Sequence, residues 1–273
     1  MNTPKNAVRA TSKKIRRIVA RIGGREKNGK SEWSLTSPAP IAFFNLNKRI
    51  EGVIDKFADK KEIYVYEYPS YSRDDMNEVM TLKALPDKDP KKIEKEVAEL
   101  FKEKYKRIWN DIQRDFYEVA ETRDIRTIVI DTETDLWETR RLAEWGRSAS
   151  IPTAFSGLNK DMRNMVEAVN YSGKNLIMIS EMKKQYKDHI DKNGKNVGIW
   201  TGDYEMAGWT GISYKVQVNL LAKFDPLTHT FSTTIIDCGL DQMLAGEVME
   251  NDMSTFPFLG ITIFPDTTLE DWE

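Results

Sequence analysis

Arg17-Ile-Val-Ala-Arg-Ile-Gly23 runs directly into Gly24-Arg25-Glu26-Lys27-Asn28-Gly29-Lys30-Ser31. The first seven residues have the length and apolar character of a short buried strand, and the next eight are a full G-x-x-x-x-G-K-[ST] pattern. Each part of that pattern has a chemical reason. The glycines let backbone N–H groups curl around a β-phosphate, and the positive end of the helix that follows faces it. Lys30 is placed to reach the β- and γ-phosphates, and Ser31 offers a hydroxyl to Mg²⁺. The sequence therefore predicts a phosphate-binding loop, with Gly24, Arg25, Glu26, Lys27, Asn28, Gly29, Lys30, Ser31 and the adjoining Glu32 as the nucleotide-binding set, and ATP with Mg²⁺ as its occupants. The plainer alternative, a surface Gly-Lys turn, fits poorly with a strand before the pattern and a helix after it.

A phosphate loop needs a second carboxylate on the metal side. Ile128-Val-Ile-Asp131 supplies one, an apolar strand ending in Asp about 100 residues after the loop. Asp131 is the expected Mg²⁺-side carboxylate; its alternative is a helix cap, a role open also to Thr132 and Asp135. Hydrolysis further requires a group that orients water or takes its proton. Glu133, just past Asp131, and Glu181, at the end of the strand Asn175-Leu-Ile-Met-Ile-Ser180, are the candidates, with Glu138 further behind. Ser180 is a candidate γ-phosphate sensor.

Working outward, a helix is expected from Ser31 to Thr36, closed by Ser37-Pro-Ala-Pro40, then strands at 41–46 and 63–68. Residues 86–122 carry Ile93, Val97, Leu100, Phe101, Tyr105, Ile108, Ile112, Phe116 and Val119 at gaps of three, four and seven, one apolar stripe on a charged helix. A strand at 125–131, a helix through Trp137, Arg141 and Trp145, and a second helix at 159–172 ending on Gly173 follow. The strand 175–180 should lie beside the phosphate-loop strand, and 214–224 with 230–237 read as paired strands. Strands alternating with helices predict an α/β fold of right-handed crossovers around a mostly parallel sheet. The whole chain reads as a single domain, with residues 1–14 a flexible basic N-terminus and 245–273 a C-terminal tail. The tail's last five residues, Leu269 to Glu273, are acidic with an exposed aromatic, which suits either a protein-docking end or a frayed one.

The chain has 273 residues, 31% of them charged, with a net charge of −2, so a nucleic-acid site would have to be a local patch. The single cysteine, Cys238, excludes an internal disulfide and reads as a small core residue. No apolar run is long enough for a membrane span, and the N-terminus has no apolar signal region, so a cytoplasmic protein is expected. The segment 183–196, with Lys183, Lys184, Lys187, Lys192 and Lys195 around Tyr186 and His189, is followed by Trp200, Tyr204 and Trp209. It reads as a flexible basic loop with interleaved aromatics, suited to single-stranded nucleic acid, or as a solvated hairpin insertion. Lys13, Lys14, Arg16, Arg17 and Arg21 form a second basic cluster that either contacts nucleic acid or flanks the first strand. His189 and His229, the only histidines, are expected on the surface.

Taken together, GREKNGKS, SPAPIAFFNLN, TIVIDTETDLWE, KDMRNMVEAVNYSGKNLIMIS and GDYEMAGWTGISYKV cover most of residues 15–240. They resemble phage-encoded RecA-like P-loop ATPases of the AAA-type group associated with single-strand annealing and recombination. The Trp soon after the strand-ending Asp of TIVIDTETDLWE is the most distinctive point of likeness. The resemblance implies a RecA-like core, ATP hydrolysis, association with ssDNA, assembly into a ring or filament in the host cytoplasm, and contact with phage or host recombination or ssDNA-binding proteins. A basic residue from a neighbouring subunit often completes such sites, and Lys183, Lys184 or Lys215 would be the candidates. The chain departs from the pattern at Asn45-Leu-Asn47, where RecA-like enzymes often place a carboxylate. That departure leaves a rival reading, a nucleotide-gated binding protein with negligible turnover. A phosphotransferase on a small substrate would expect an Arg-rich lid, where this chain has Lys and aromatics.

Overall fold

The structure, a computed structural model, describes residues 16–47, 50, 52–68, 89–146, 155–190 and 196–273. The expectations for residues 1–14 and for Lys192 and Lys195 lie outside the described residues. Eight strands form the main sheet among the described residues, in the order β10-β9-β8-β1-β5-β4-β2-β3. They are β1 (Val19–Gly23), β2 (Ile41–Asn45), β3 (Ile63–Glu67), β4 (Thr127–Asp131), β5 (Asn175–Ser180), β8 (Val218–Asp225), β9 (Thr230–Cys238) and β10 (Val248–Glu250). The block from β8 to β3 is parallel throughout, and β9 and β10 add antiparallel strands at one side. A ninth and a tenth strand, β6 (Met182–Ile190) and β7 (Asn196–Met206), form a separate antiparallel hairpin. The order carries one consequence for function: β5 stands between β1, which feeds the glycine-rich loop, and β4, which ends in Asp131.

The central strands are buried end to end because helices cover both faces, as parallel sheets require. Side-chain alternation divides their residues between two cores. Val19, Ala42, Phe44, Ile128, Ile130, Leu176 and Met178 face helices α2 (Pro90–Glu121), α3 (Glu133–Trp145) and α4 (Phe155–Ser172). Ala20, Ile22, Phe43, Val129, Ile177 and Ile179 face α1 (Lys30–Leu35) and α5 (Phe256–Ile263). Helix α2 opens on Asp89, whose side chain accepts from the Lys91 amide at 3.0 Å, and buries Tyr105, Ile108, Ile112, Phe116 and Val119 of its predicted stripe. The Thr132 side chain caps α3 by accepting from the Asp135 amide at 3.0 Å. Gly173 follows α4 at a φ of 75°, the left-handed closure expected of it.

Three expectations are corrected. Residues 245–273 are no tail: β10, α5 and a 3₁₀ turn at Leu269–Trp272 complete the second core, and Trp272 is 2% exposed between Phe256 and Phe264. Composition misled because the acidic residues lie on the outer side of a segment that buries Met249, Phe256, Leu259, Ile263 and Trp272. Of the two readings of 183–196, the described part corrects the flexible loop and agrees with the hairpin, since Met182–Ile190 pairs with Asn196–Met206. Arg21 of the N-terminal basic cluster is 3% exposed and turned into the core, because it shares the parity of Val19.

Candidate functional site

The glycine-rich segment joins β1 to α1, and its residues line a cleft of about 700 Å³ at the carboxyl ends of the parallel strands. Ligands of open α/β sheets sit there. Gly29 precedes α1 at a φ of 70°, and a side chain there would have its Cβ 2.9 Å from the Phe231 ring, so the position requires glycine on two counts. Asn28 Nδ2 donates to the Ala222 carbonyl at 3.1 Å, tying the loop to β8. Lys30 Nζ donates to the carbonyls of Gly24 and Arg25, each at 2.8 Å, so its ammonium lies across the mouth of the loop. Burial lowers the Lys30 pKa, while Asp131, Glu181 and Glu26 raise it.

Asp131 faces α1 because it continues the parity of Val129. Ser31 Oγ donates to Asp131 Oδ2 at 2.5 Å, and Asn47 Nδ2 donates to Oδ1 at 3.0 Å. Burial pushes the Asp131 carboxyl up, against the opposing effects of Ser31, Lys30 and Asn47. The donor set is a hydroxyl and a carboxylate, hard oxygen ligands without a His or Cys. It fits Mg²⁺, which binds through one or two protein oxygens together with substrate phosphates. The strand end at Asn45 and Asn47 lacks a carboxylate of its own, but Glu67 of β3 reaches it: Asn45 Nδ2 donates to Glu67 Oε1 at 3.0 Å. The role of Asn47 beside Asp131 went unassigned in the sequence, since nothing there reveals that β2 and β4 are neighbours.

The candidate acid–base residues part company. Glu181 lines the cleft with Lys30, Ser31 and Asp131. Glu133 does not: it is 0% exposed on the far face of the sheet, where Arg21 Nη2 donates to Oε2 at 3.2 Å, Ser180 Oγ to the same oxygen at 3.1 Å, and the Trp209 amide to Oε1 at 2.6 Å. Arg21 is held in turn by Ser180 Oγ at 2.8 Å, Ser213 Oγ at 3.0 Å and the Ala207 carbonyl at 2.6 Å. Gly208 closes the network at a φ of 99°, where a Cβ would sit 2.1 Å from Glu133 Oε2. Burial pushes the Glu133 carboxyl up, and Arg21, the Trp209 amide and Ser180 act against it. The reading of Glu133 as the base, and of Ser180 as a phosphate sensor, is therefore corrected: both belong to a buried polar cluster under the cleft. Ser180 shares the parity of Leu176 and Met178, which turns it away from α1.

The hairpin leaves the main sheet at this same cluster, the Ala207 amide donating to the Glu181 carbonyl at 2.8 Å. Its base touches the cleft through Met182 and Tyr204, and the Arg25 guanidinium stands 4.9 Å from the Tyr204 ring centroid. Farther out, Tyr204 meets Trp200 edge-on at 6.3 Å, and Lys184 Nζ stands 5.0 Å from the Trp200 ring centroid. Lys183 pairs with Glu205 at 3.2 Å. Tyr186, Lys187, His189, Ile199 and Trp200 are exposed. The sequence signalled this composition but not the Arg25–Tyr204 contact that joins it to the loop.

No protein-family model and no curated protein sequence matches the chain. Among solved structures, a crystal structure of the RadB recombinase is similar in outline, at a TM-score of 0.45 and 10% identity, over 85% of this chain and 86% of that one. No helix among the described residues is long and apolar enough to cross a membrane.

Proposed function

We propose that the chain binds a nucleoside triphosphate with Mg²⁺ on Gly24–Ser31 and hydrolyses it in the service of DNA recombination. The observation that carries this reading is the meeting of Ser31 Oγ and Asp131 Oδ2 at 2.5 Å, one from the helix that follows β1 and the other from the end of β4, with β5 between those two strands, beside the Lys30 ammonium. A surface turn would have no reason to bring those groups together. Ser31 and Asp131 would hold Mg²⁺, whose charge offsets that developing on the β- and γ-oxygens. Lys30 exchanges its carbonyl partners for phosphate oxygens. Glu181 orients the attacking water and accepts its proton, being the candidate carboxylate that shares the cleft. The hairpin supplies Lys184, Lys187, Trp200 and Tyr186 to ssDNA, charge for phosphates and rings for bases. The recombination setting rests on the resemblance of the motifs to phage RecA-like ATPases.

Steady-state ATP hydrolysis with and without ssDNA, beside Lys30→Ala, tests the reading. Lys30-dependent turnover stimulated by ssDNA supports all of it. Lys30-dependent turnover indifferent to ssDNA keeps the ATPase and removes the DNA role. The sealing of Glu133 inside the buried cluster favours a second reading, a nucleotide-gated binding protein. ATP binding by wild type without turnover would make that account the better one.

A further inference from the structure

At the end of α1 away from the phosphate loop, where Thr36 closes the helix, lies a cavity of about 520 Å³ lined in part by Lys61. Phe57, Pro257, Phe258 and Leu269 give it apolar walls, and Lys60, Asp252 and Glu273 are the other charged groups along it. We propose that Lys61 is an acylation site: its amine takes a small activated acyl group, carried by an acyl phosphate or an acyl thioester, and the product uncaps α1. The site is independent of the phosphate-loop reading.

The backbone presents the amine from a fixed point. The Lys61 amide donates to the Phe57 carbonyl at 2.8 Å, and the next carbonyl, that of Glu62, accepts from the Ile41 amide of β2 at 2.9 Å. From there Lys61 Nζ donates to the carbonyls of Thr36 and Ser37, at 2.8 and 2.7 Å. An ammonium has three N–H donors, whereas an amine keeps two and gains a lone pair. Losing the third proton therefore costs neither hydrogen bond, and the lone pair takes the tetrahedral position away from both carbonyls. Burial favours that uncharged form and pushes the Lys61 ammonium down to about 8, with Glu273 acting to raise it and Arg126 to lower it. At pH 7.4 about a fifth of such amines are unprotonated, against about a thousandth at the ordinary value near 10.4. A less basic amine is a poorer nucleophile, and a Brønsted slope near the roughly 0.4–0.5 of thiolates gives back about a factor of ten. The net gain at neutral pH is about tenfold.

In the step itself a bond forms between Nζ and the acyl carbon, and the bond from that carbon to the phosphate oxygen or the thioester sulfur breaks. Phosphate or thiolate leaves with the bonding pair, and Nζ gives one proton to water. The product is a neutral amide with a single N–H. One of the two carbonyls at the end of α1 thus loses its donor, and both lose the positive charge that suits a helix C-terminus. Ser37 is 0% exposed, so water is not at hand to take the donor's place. A buried carbonyl without a partner destabilises the fold, and here it does so at the helix that begins with Lys30.

Acetyl phosphate and the neutral thioester S-acetyl-N-acetylcysteamine, used separately, test the assignment on the full chain. Folded protein and the same protein in concentrated urea are treated at pH 7.4 and pH 9.5. Peptide mass spectrometry, after heavy-isotope acetylation of the remaining amines, gives the occupancy of Lys61. With at least one donor, Lys61 should react about tenfold faster in the folded chain than in the unfolded one at pH 7.4, and about equally fast at pH 9.5. The arm that reacts identifies the donor class. A folded-state rate no higher than the unfolded one at pH 7.4, with both donors, overturns the site. Treated wild type should also melt below equally treated Lys61→Arg, which keeps a cation at the end of α1 and offers no amine there. Equal melting temperatures at full occupancy of Lys61 overturn the uncapping.

Discussion

Two glutamates at the carboxyl ends of neighbouring strands have opposite fates, and the difference is one of side-chain direction. Glu181 opens to the cleft, whereas Glu133 accepts three hydrogen bonds in a sealed cluster with Arg21. Glu181→Gln should lower kcat by about 10²–10⁴-fold, the usual worth of a positioned acid–base group, with little change in melting temperature. Glu133→Gln should act on stability. It leaves the Arg21 charge buried without its counter-ion, a loss of about 3–5 kcal/mol, and a thermal melt reads it directly. If Glu133→Gln instead melts like wild type and turnover collapses, the assignment of the two residues is reversed. The strand–loop–helix that carries Ser31, and the strand that ends in Asp131, were legible in the sequence because local spacing encodes them. The Glu133 cluster was not, because β1 and β5 are apolar on both faces, so parity groups Arg21 with Val19 without telling which helical layer that face meets.

At the level of elements, α1 depends on a residue from a distant turn. Lys61 Nζ donates to the carbonyls of Thr36 and Ser37, at 2.8 and 2.7 Å, and so caps the end of the helix that begins with Lys30. Burial lowers the Lys61 pKa to about 8, against about 10.4 for a free lysine. Between those values the unfolded chain binds more protons than the folded one, so the contribution of this group to stability rises with pH across that window. The melting temperature of wild type relative to Lys61→Met should therefore increase from pH 7.5 to pH 10; a constant difference would mean that the ammonium loses nothing by being buried. The β6–β7 hairpin makes a different prediction. Trp200→Ala should weaken ssDNA binding by about 1–3 kcal/mol, the worth of one stacked base, whatever the sequence. Lys184→Ala should lower the salt slope of binding by about 0.7 if it contacts one phosphate. Fluorescence anisotropy over a salt series measures both. The sequence supplied this composition but left its shape open between a loop and a hairpin, since lysines and glycines in 183–202 mask the alternation that marks a strand.

Over the whole molecule, two apolar layers clamp one sheet, and the layer that carries α1 is finished by residues more than 200 positions away: the Phe256 amide bonds Thr36 Oγ1, and Phe256 packs on Trp33 at 5.8 Å between centroids. Trp272 seals that layer. Its ring stacks on Phe264 at 5.5 Å, its Nε1 donates to Thr267 Oγ1 at 2.9 Å, and a Cβ at Gly260 would lie 2.4 Å from it. Trp272→Ala should cost about 3–5 kcal/mol, as other large-to-small changes in a close-packed core do, which for a chain of this size is a fall in melting temperature of roughly 10 °C. The same substitution should weaken ATP binding, because α5 holds the end of α1, the helix that begins with Lys30. A ligand that binds only the folded state restores stability by mass action, about 2.7 kcal/mol at a hundredfold excess over Kd. The variant's melting temperature should therefore recover with ATP, but only at higher concentrations than wild type requires. Thermal melts across an ATP series separate the two effects. A variant that melts low yet follows the wild-type ATP dependence would show that the core is damaged while the nucleotide site stays intact, and the link from Trp272 through α5 to the phosphate loop would fail.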